Sequence, residues 1–273
     1  MAVQVSETVT GVLAAAQARL SAWLGGPEEA ITFLGRIPLS AVALCTRRAR
    51  FPWPDFLRVT LQCSAQALLI VIAVNLLVGA ILAFVGAVQL NKFGAGIYVA
   101  DLVGISMVRE MAAVMTAVVM AGRSGAAFAA ELATMQSNEE VDALEVLGMD
   151  TAAWLVVPRI LALTVILPLL YVFACAAGLL GGLLVATGMM NLSESAYLDR
   201  SALILITPHF AIGATKSVCF GFLIGLTGCW YGLTASRTAA GVGEATTRAV
   251  VASIVWVIVL DAVFALCAHA LGV

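Results

Sequence analysis

Residues 121–150, AGRSGAAFAAELATMQSNEEVDALEVLGMD, form the one long polar stretch in a chain that is otherwise mostly apolar. Of the 273 residues, 62% are hydrophobic and only 11% are charged. A soluble domain carries about 25% charged residues, so this composition excludes one. The net charge of −2, without a basic stripe, gives no indication of a nucleic-acid partner. The chain is therefore predicted to be a membrane protein with this polar stretch outside the apolar layer.

Five apolar segments are long enough to cross a bilayer, whose hydrocarbon core is about 30 Å thick. The first could reach about 50 Å as a helix. It must therefore be tilted, bent near Gly79 or Gly86, or partly interfacial. In the third, Pro168 and the cluster Gly178-x-x-Gly181-Gly182 indicate close helix contact. The predicted spans are 59–91, 97–121, between Arg159 and Glu194, between Arg200 and Arg237, and about 249–271.

Three regions follow from this pattern, and the fold class is an all-α integral membrane protein. Residues 1–27 are predicted to be an amphipathic N-terminal segment that is too polar to span. Residues 28–56 combine an apolar body with basic residues, which predicts an interfacial helix followed by an elbow at Phe51-Pro-Trp-Pro. A partner-facing helix is the alternative for this region. Residues 57–273 are predicted to form a five-helix membrane domain, which includes the polar residues 122–150, called the coupling segment below.

The distribution of basic residues predicts the orientation, because cytoplasmic segments are enriched in Lys and Arg. With the N-terminus in the cytoplasm, the outer loops hold only Lys92 and Arg200. The coupling segment then faces the cytoplasm and the C-terminus faces outward. The inner segments hold Arg19, Arg36, Arg47, Arg48, Arg50, Arg58, Arg123, Arg159, Arg237 and Arg248.

Four charged residues fall near the middle of predicted spans: Arg109, Glu110, Lys216 and Asp261. Each would cost about 2.5–3.5 kcal/mol at the bilayer centre if it were isolated, so they are expected to face a bundle interior or a wet cavity. Arg109 and Glu110 are adjacent and cannot face each other well, which favours cross-helix pairs such as Lys216 with Asp261. Two roles stay open, a neutralising ion pair between helices and direct contact with substrate.

The first half of the coupling segment indicates tight packing where the second span leaves the membrane. Gly122, Arg123 and Gly125 are expected to form a tight helix exit, and Glu131 lies on a following helix with a small-residue surface. The chain has no G-x-x-x-x-G-K-[ST] motif, so it has no visible site for hydrolysing ATP.

The second half predicts a short helix over residues 138–147. Ser137-x-x-Glu140 matches a capping box, with Asn138 as a competing cap, and Gly148 is a natural stop. The carboxylates could also indicate acid/base catalysis or a metal site, but no His or Cys lies nearby and we predict neither. A short helix with acidic and apolar faces favours insertion into a groove of a partner. The residues that form those faces are Glu139, Glu140, Asp142, Leu144, Glu145 and Leu147.

These residues closely resemble the MlaE/YrbE family of ABC permeases. The resemblance rests on AGRSGAAFAAEL at 121–132, NEEVDALEVLGMD at 138–150, VREM at 108–111, Lys216-Ser, and AGVGEATTRAVV at 240–251. It covers roughly residues 30–271. Asn138-Glu-Glu140 departs from the Thr-Glu-Gln-like start of many members.

The resemblance implies a homodimeric permease subunit, not an enzyme, in a transporter of phospholipid or related lipids in a bacterial inner membrane. It implies a cytoplasmic ABC ATPase that binds ATP and Mg, MCE-domain proteins in the periplasm, and in many members a STAS-domain protein. Residues 138–147 would be the coupling helix that docks into the ATPase, and the four intramembrane charges match polar positions of the family's core. An ion-coupled secondary transporter and a non-transporting membrane scaffold are the alternatives.

Overall fold

The computed structural model describes residues 32–38, 40, 52–190 and 192–271, and every regular element within these ranges is helical. Residues 1–27 and most of the predicted interfacial region lie outside them. Five helical segments are long and apolar enough to cross a membrane. The prediction of an all-α membrane protein with five spans is therefore confirmed. The spans, numbered first to fifth, are Trp53–Phe93, Gly96–Ser137, Ala152–Met189, Thr207–Leu233 and Ala239–Ala270.

The described residues after Pro52 contain nine α-helices and three π turns, and all of these except α5 and α7 belong to the spans. The helices are α1 (Trp53–Leu90), α2 (Val99–Ser106), α3 (Ala112–Met120), α4 (Ala126–Ser137), α5 (Glu140–Val146), α6 (Val157–Met190), α7 (Glu194–Ile204), α8 (Thr207–Leu233) and α9 (Ala239–Leu271). The π turns are Met107–Met111, Ala121–Gly125 and Ala152–Val156. The first two join α2, α3 and α4 into the second span.

The first and third spans pack closely through glycines, as the sequence predicted. A Cβ atom on Gly79 would lie 1.9 Å from the carbonyl oxygen of Gly178, and one on Gly181 would lie 2.0 Å from that of Leu76. Only glycine lets the two backbones approach to this distance. Gly79 therefore serves helix contact, and α1 runs through it as one helix of 38 residues.

The second span is longer than predicted. The sequence placed its end near residue 121, but the helix continues to Ser137 and has 42 residues. It continues because the π turn at Ala121–Gly125 stays helical and because buried Ala129 and Leu132 of α4 pack against α8. At about 1.5 Å per residue, such a helix is far longer than the hydrocarbon core, so it extends beyond the membrane.

The helix α8 lies at the centre of the bundle, in contact with α3, α4, α6 and α9. The first and fifth spans bury the smallest share of their residues within the chain. Their large apolar side chains, such as Leu69 and Leu266, point outward and are exposed. The bundle therefore presents apolar outer faces to its surroundings, as expected for a membrane protein.

Candidate functional site

The π turn at Met107–Met111 interrupts the second span where the sequence carries Arg109 and Glu110. The N–H of Ala112 donates to the carbonyl of Met107, five residues earlier, instead of the usual four. Single π turns of this kind are frequent at functional sites. The turn places Glu110 against the fourth span, while Arg109 is half-buried on the same turn.

Lys216 of the fourth span binds two carboxylates from two other spans. Its Nζ donates to Oδ1 of Asp261 at 2.8 Å and also pairs with Oε2 of Glu110. The lysine side chain is fully buried, whereas the side chain of Glu110 is 32% exposed and that of Asp261 is 24% exposed. We call these three residues the Lys216 cluster. It joins the second, fourth and fifth spans, and only its carboxylates are accessible.

This cluster confirms the predicted pairing of Lys216 with Asp261 and adds Glu110 to it. An ammonium group in an apolar interior is costly unless it is paired and hydrogen-bonded. Removing one partner from a buried ion pair typically costs about 3–5 kcal/mol, because a charge is left uncompensated. The cluster therefore forms an ion-pair contact between three spans, whereas the predicted contact with substrate stays a prediction.

The short helix of the coupling segment begins two residues later than predicted, at Glu140 instead of Asn138. Ser137 is the last residue of α4, and Glu139 adopts a left-handed conformation with φ +61° before α5 begins at Glu140. Within the described ranges no side chain caps the N-terminus of α5, so the predicted capping box is wrong. Leu132 and Met135 of α4 pack into the same cluster as Cys229 of α8, and the helix continues to Ser137, which therefore cannot serve as a cap.

The end of the short helix is as predicted. Gly148 has φ +75°, and its N–H donates to the carbonyl of Glu145 at 2.9 Å. The N–H of Met149 donates to the carbonyl of Leu144 at 3.0 Å. This pair of bonds is the Schellman arrangement that ends helices at a left-handed glycine.

Arg237, in the loop between α8 and α9, binds the acidic side of α5, a contact that no sequence pattern indicated. Its guanidinium lies 2.8 Å from Oδ2 of Asp142 and 3.9 Å from Oε1 of Glu139. Glu140 and Glu145 are exposed and form no ion pair among the described residues.

The apolar side chains of α5 and of the residue that follows it are divided between the surface and the interior of the chain. Val146 and Leu147 are 88% and 73% exposed, while Leu144 is half-buried and Val141 is buried inside the chain. The exposed surface of this segment therefore combines two apolar side chains with the carboxylates of Glu140 and Glu145.

Of the residues predicted to pack tightly where the second span leaves the membrane, some have close contacts and one has none among the described residues. A Cβ on Gly125 would touch Ile224 of α8 at 3.0 Å. Gly122 is exposed, and a Cβ added there would meet no atom within 4 Å in the described part of the chain, so it packs against nothing there. Arg123 reaches α1, where it donates to Gln66. Glu131 forms an ion pair at 3.0 Å with the buried Arg159 at the start of the third span.

The residues before the first span contact the same end of the bundle as α5. Ser40 donates to Oδ2 of Asp150 at 2.7 Å, and the rings of Phe33 and Trp230 lie 5.1 Å apart. At the other end, Arg200 of α7 makes a two-pronged contact with Asp101 and lies 4.8 Å from the ring centre of Tyr98. The Asp101 carboxylate raises the pKa of Arg200 by accepting its hydrogen bonds.

The profile of the family "Permease MlaE" matches residues 56–267. The chain belongs to the MlaE permease family. A probable ABC transporter permease protein of Rickettsia typhi is 36% identical over 66% of this chain and 70% of its own length. One from Synechocystis is 39% identical over 59% of this chain and 62% of its own length.

A chloroplast protein of Arabidopsis thaliana, named trigalactosyldiacylglycerol 1, is 30% identical over 82% of this chain and 65% of its own length. This MlaE chain is thus a membrane-embedded permease subunit of an ABC transporter, a class that works with an ATPase partner. Membership of this family disfavours the ion-coupled secondary transporter that the sequence left open.

Proposed function

We propose that this chain is the permease of an ATP-driven transporter that moves phospholipids or related lipids between a bacterial inner membrane and MCE-domain proteins in the periplasm. One observation carries the proposal. The helix α5 is connected to each of the three spans that supply the Lys216 cluster. It follows the second span, which holds Glu110, and Arg237 links it to the loop between the fourth and fifth spans. A displacement of α5 would therefore be transmitted to the three spans that carry the charges of the Lys216 cluster.

The partner ATPase supplies the energy, since this sequence has no Walker A motif to bind ATP and Mg. Its docking site is the coupling segment, where Val146 and Leu147 offer an apolar contact beside the carboxylates of Glu140 and Glu145. A groove with an apolar floor and a basic rim fits this surface. ATP binding then moves α5, and the motion passes along the continuous second span to the π turn.

The substrate is a lipid because the Lys216 cluster combines accessible polar groups with apolar surroundings. Glu110 is the group that we place nearest a headgroup, with Arg109 on the same turn. The bulky exposed side chains of the first and second spans would line the path of the acyl chains. The name of the Arabidopsis relative is that of a galactolipid, which supports this substrate class.

The assembly that we propose contains two copies of this chain, a cytoplasmic ATPase and periplasmic MCE proteins, with a STAS-domain protein as a further component. The weakly buried first and fifth spans offer surfaces for a second copy. The excess of basic residues at the end that carries α5 supports a cytoplasmic position for it. The C-terminus then lies in the periplasm.

The proposal is tested by co-purifying the permease with its ATPase partner and reconstituting the complex in liposomes with a fluorescent phospholipid. We expect lipid transfer to an acceptor that depends on ATP hydrolysis and is absent with a non-hydrolysable analogue. Transfer driven by an ion gradient without ATP would contradict the proposal. A complex that hydrolyses ATP but moves no lipid would contradict the substrate class.

A further inference from the structure

A tyrosine of the third span binds the π turn that carries Glu110. The hydroxyl of Tyr171 donates to the carbonyl oxygen of Val108 at 2.7 Å. Both residues are buried, and the tyrosine side chain is among the largest fully buried ones in the described part of the chain. This hydrogen bond therefore joins two spans in the interior of the bundle.

The π turn explains why this carbonyl is available. In a regular α-helix the N–H of Ala112 would donate to Val108, four residues earlier. Here it donates to Met107, five residues earlier. The carbonyl of Val108 thus loses its usual donor, and the Tyr171 hydroxyl takes that place. A buried carbonyl without any partner would cost about 1–3 kcal/mol, so the hydroxyl stabilises the π turn over a regular α turn.

The fourth span leaves space for this contact at Gly213. A Cβ atom there would lie 2.3 Å from the Tyr171 hydroxyl and 2.4 Å from the Val108 carbonyl oxygen. Any larger residue would therefore push the two groups apart. Gly213 is one helical turn before Lys216 on α8, so the hydrogen bond lies beside the Lys216 cluster.

We propose that Tyr171 is a positioning residue that holds the π turn, and thereby holds Glu110 on Lys216, with Gly213 providing the space. If the turn became a regular α turn, the register would shift by one residue, which corresponds to a rotation of about 100°. Glu110 would then leave Lys216. The effect on transport rests on the proposed function, whereas the effect on the π turn does not.

The first measurement is hydrogen–deuterium exchange of residues 107–113 in the purified permease, comparing Tyr171→Phe with wild type. Loss of one buried hydrogen bond is expected to speed exchange there at least about fivefold. Tyr197→Phe is the matched control, because Tyr197 is equally buried and its hydroxyl makes no hydrogen bond of normal geometry to any described residue. Unchanged exchange in Tyr171→Phe would overturn the proposal, whether or not the complex moves lipid.

The second measurement separates positioning from general stability. ATP-driven lipid transfer is compared for Tyr171→Phe in the wild-type and Glu110→Gln backgrounds. We expect Tyr171→Phe to slow transfer at least about fivefold in the first background and by less than about twofold in the second, because the tyrosine acts through Glu110. Equal losses in both backgrounds would overturn the proposal.

A second variant keeps the test open if Tyr171→Phe does not fold. Gly213→Ala is expected to give the same faster exchange at residues 107–113, because its Cβ would displace the hydroxyl. Gly243→Ala is the control, since a Cβ on Gly243 meets no atom of the described residues within 4 Å. Exchange in Gly213→Ala that matches the control would contradict the proposal.

Discussion

Single glycines set how closely the first and third spans approach each other. At Gly79 and Gly181 the backbones of α1 and α6 are so close that a methyl group would not fit between them. Because the clashing atoms belong to backbone, no side-chain rotation can relieve them. At these positions the absence of a side chain decides the packing of two whole helices.

Gly181→Ala is therefore expected to destabilise the permease by about 1–3 kcal/mol, the usual cost of overpacking. Its Cβ would lie 2.0 Å from the Leu76 carbonyl oxygen, so α1 must move. Gly188→Ala, on the same helix, serves as the control because the added methyl has no described atom within 4 Å. Denaturant titration of the purified protein checks this prediction, and equal midpoints for the two variants would contradict it.

At the residue scale, the sequence located the intramembrane charges correctly because a charge in an apolar run is easy to recognise. The pairing of Lys216 with Asp261 followed because Arg109 and Glu110 are adjacent on one helix and cannot face each other, which leaves partners on other helices. The inclusion of Glu110 could not follow, since it depends on a π turn, and helical periodicity assumes a regular turn throughout. Tyr171 was missed for the same reason: a tyrosine among apolar residues carries no signal of the carbonyl that it binds.

At the scale of elements, α5 is held from two sides. The chain connects it to the second span, and Arg237 connects it to the loop between the fourth and fifth spans. The ion pairs are half-exposed, so their contribution to stability is at most about 1 kcal/mol. Their effect is expected on the transmission of motion more than on folding.

Arg237→Glu is expected to lower lipid-dependent ATP hydrolysis by the complex about fivefold while leaving the melting temperature nearly unchanged. The new carboxylate would repel Asp142 and Glu139 and release α5 from the loop. Arg248→Glu is the matched control, because Arg248 pairs with Glu244 of its own helix. If both variants hydrolyse ATP at the wild-type rate, Arg237 does not transmit the motion.

Leu147→Asp is expected to weaken binding of the ATPase at least about tenfold, the loss of one buried leucine at an interface. Leu203→Asp is the control, since Leu203 is 74% exposed on α7, outside the coupling segment. Co-purification at increasing dilution measures the difference. Retention of the ATPase by Leu147→Asp as well as by the control would place the docking surface elsewhere.

The sequence predicted the existence and the end of α5, because Gly148 is a local signal. It did not predict the start correctly. Ser137 has the residue type of a cap, but the packing of α4 on α8 keeps it in the preceding helix. Tertiary contacts also decided which acids stay free of ion pairs in the described structure, since Arg237 is far from α5 in the sequence.

At the scale of the whole molecule, the five-span bundle connects a surface outside the membrane to charges within it. The second span provides the continuous path, and the Lys216 cluster ties it to the fourth and fifth spans. Composition and the length of the apolar segments were sufficient to predict the five spans, because both depend on the membrane as a solvent. The path from α5 to the cluster became visible only with the helix packing.

The most direct test measures ATP-driven phospholipid transfer by the reconstituted complex carrying Lys216→Met or Asp261→Asn. Lys216→Met leaves both carboxylates without their ammonium partner, and Asp261→Asn removes one of the two carboxylates that bind the buried ammonium. We therefore predict at least about a tenfold loss of transfer for each variant. Lys92→Met and Asp199→Asn, at exposed positions outside the cluster, are the controls and are expected to transfer lipid normally. Transfer at the wild-type rate by both cluster variants would contradict the role of the Lys216 cluster in transport.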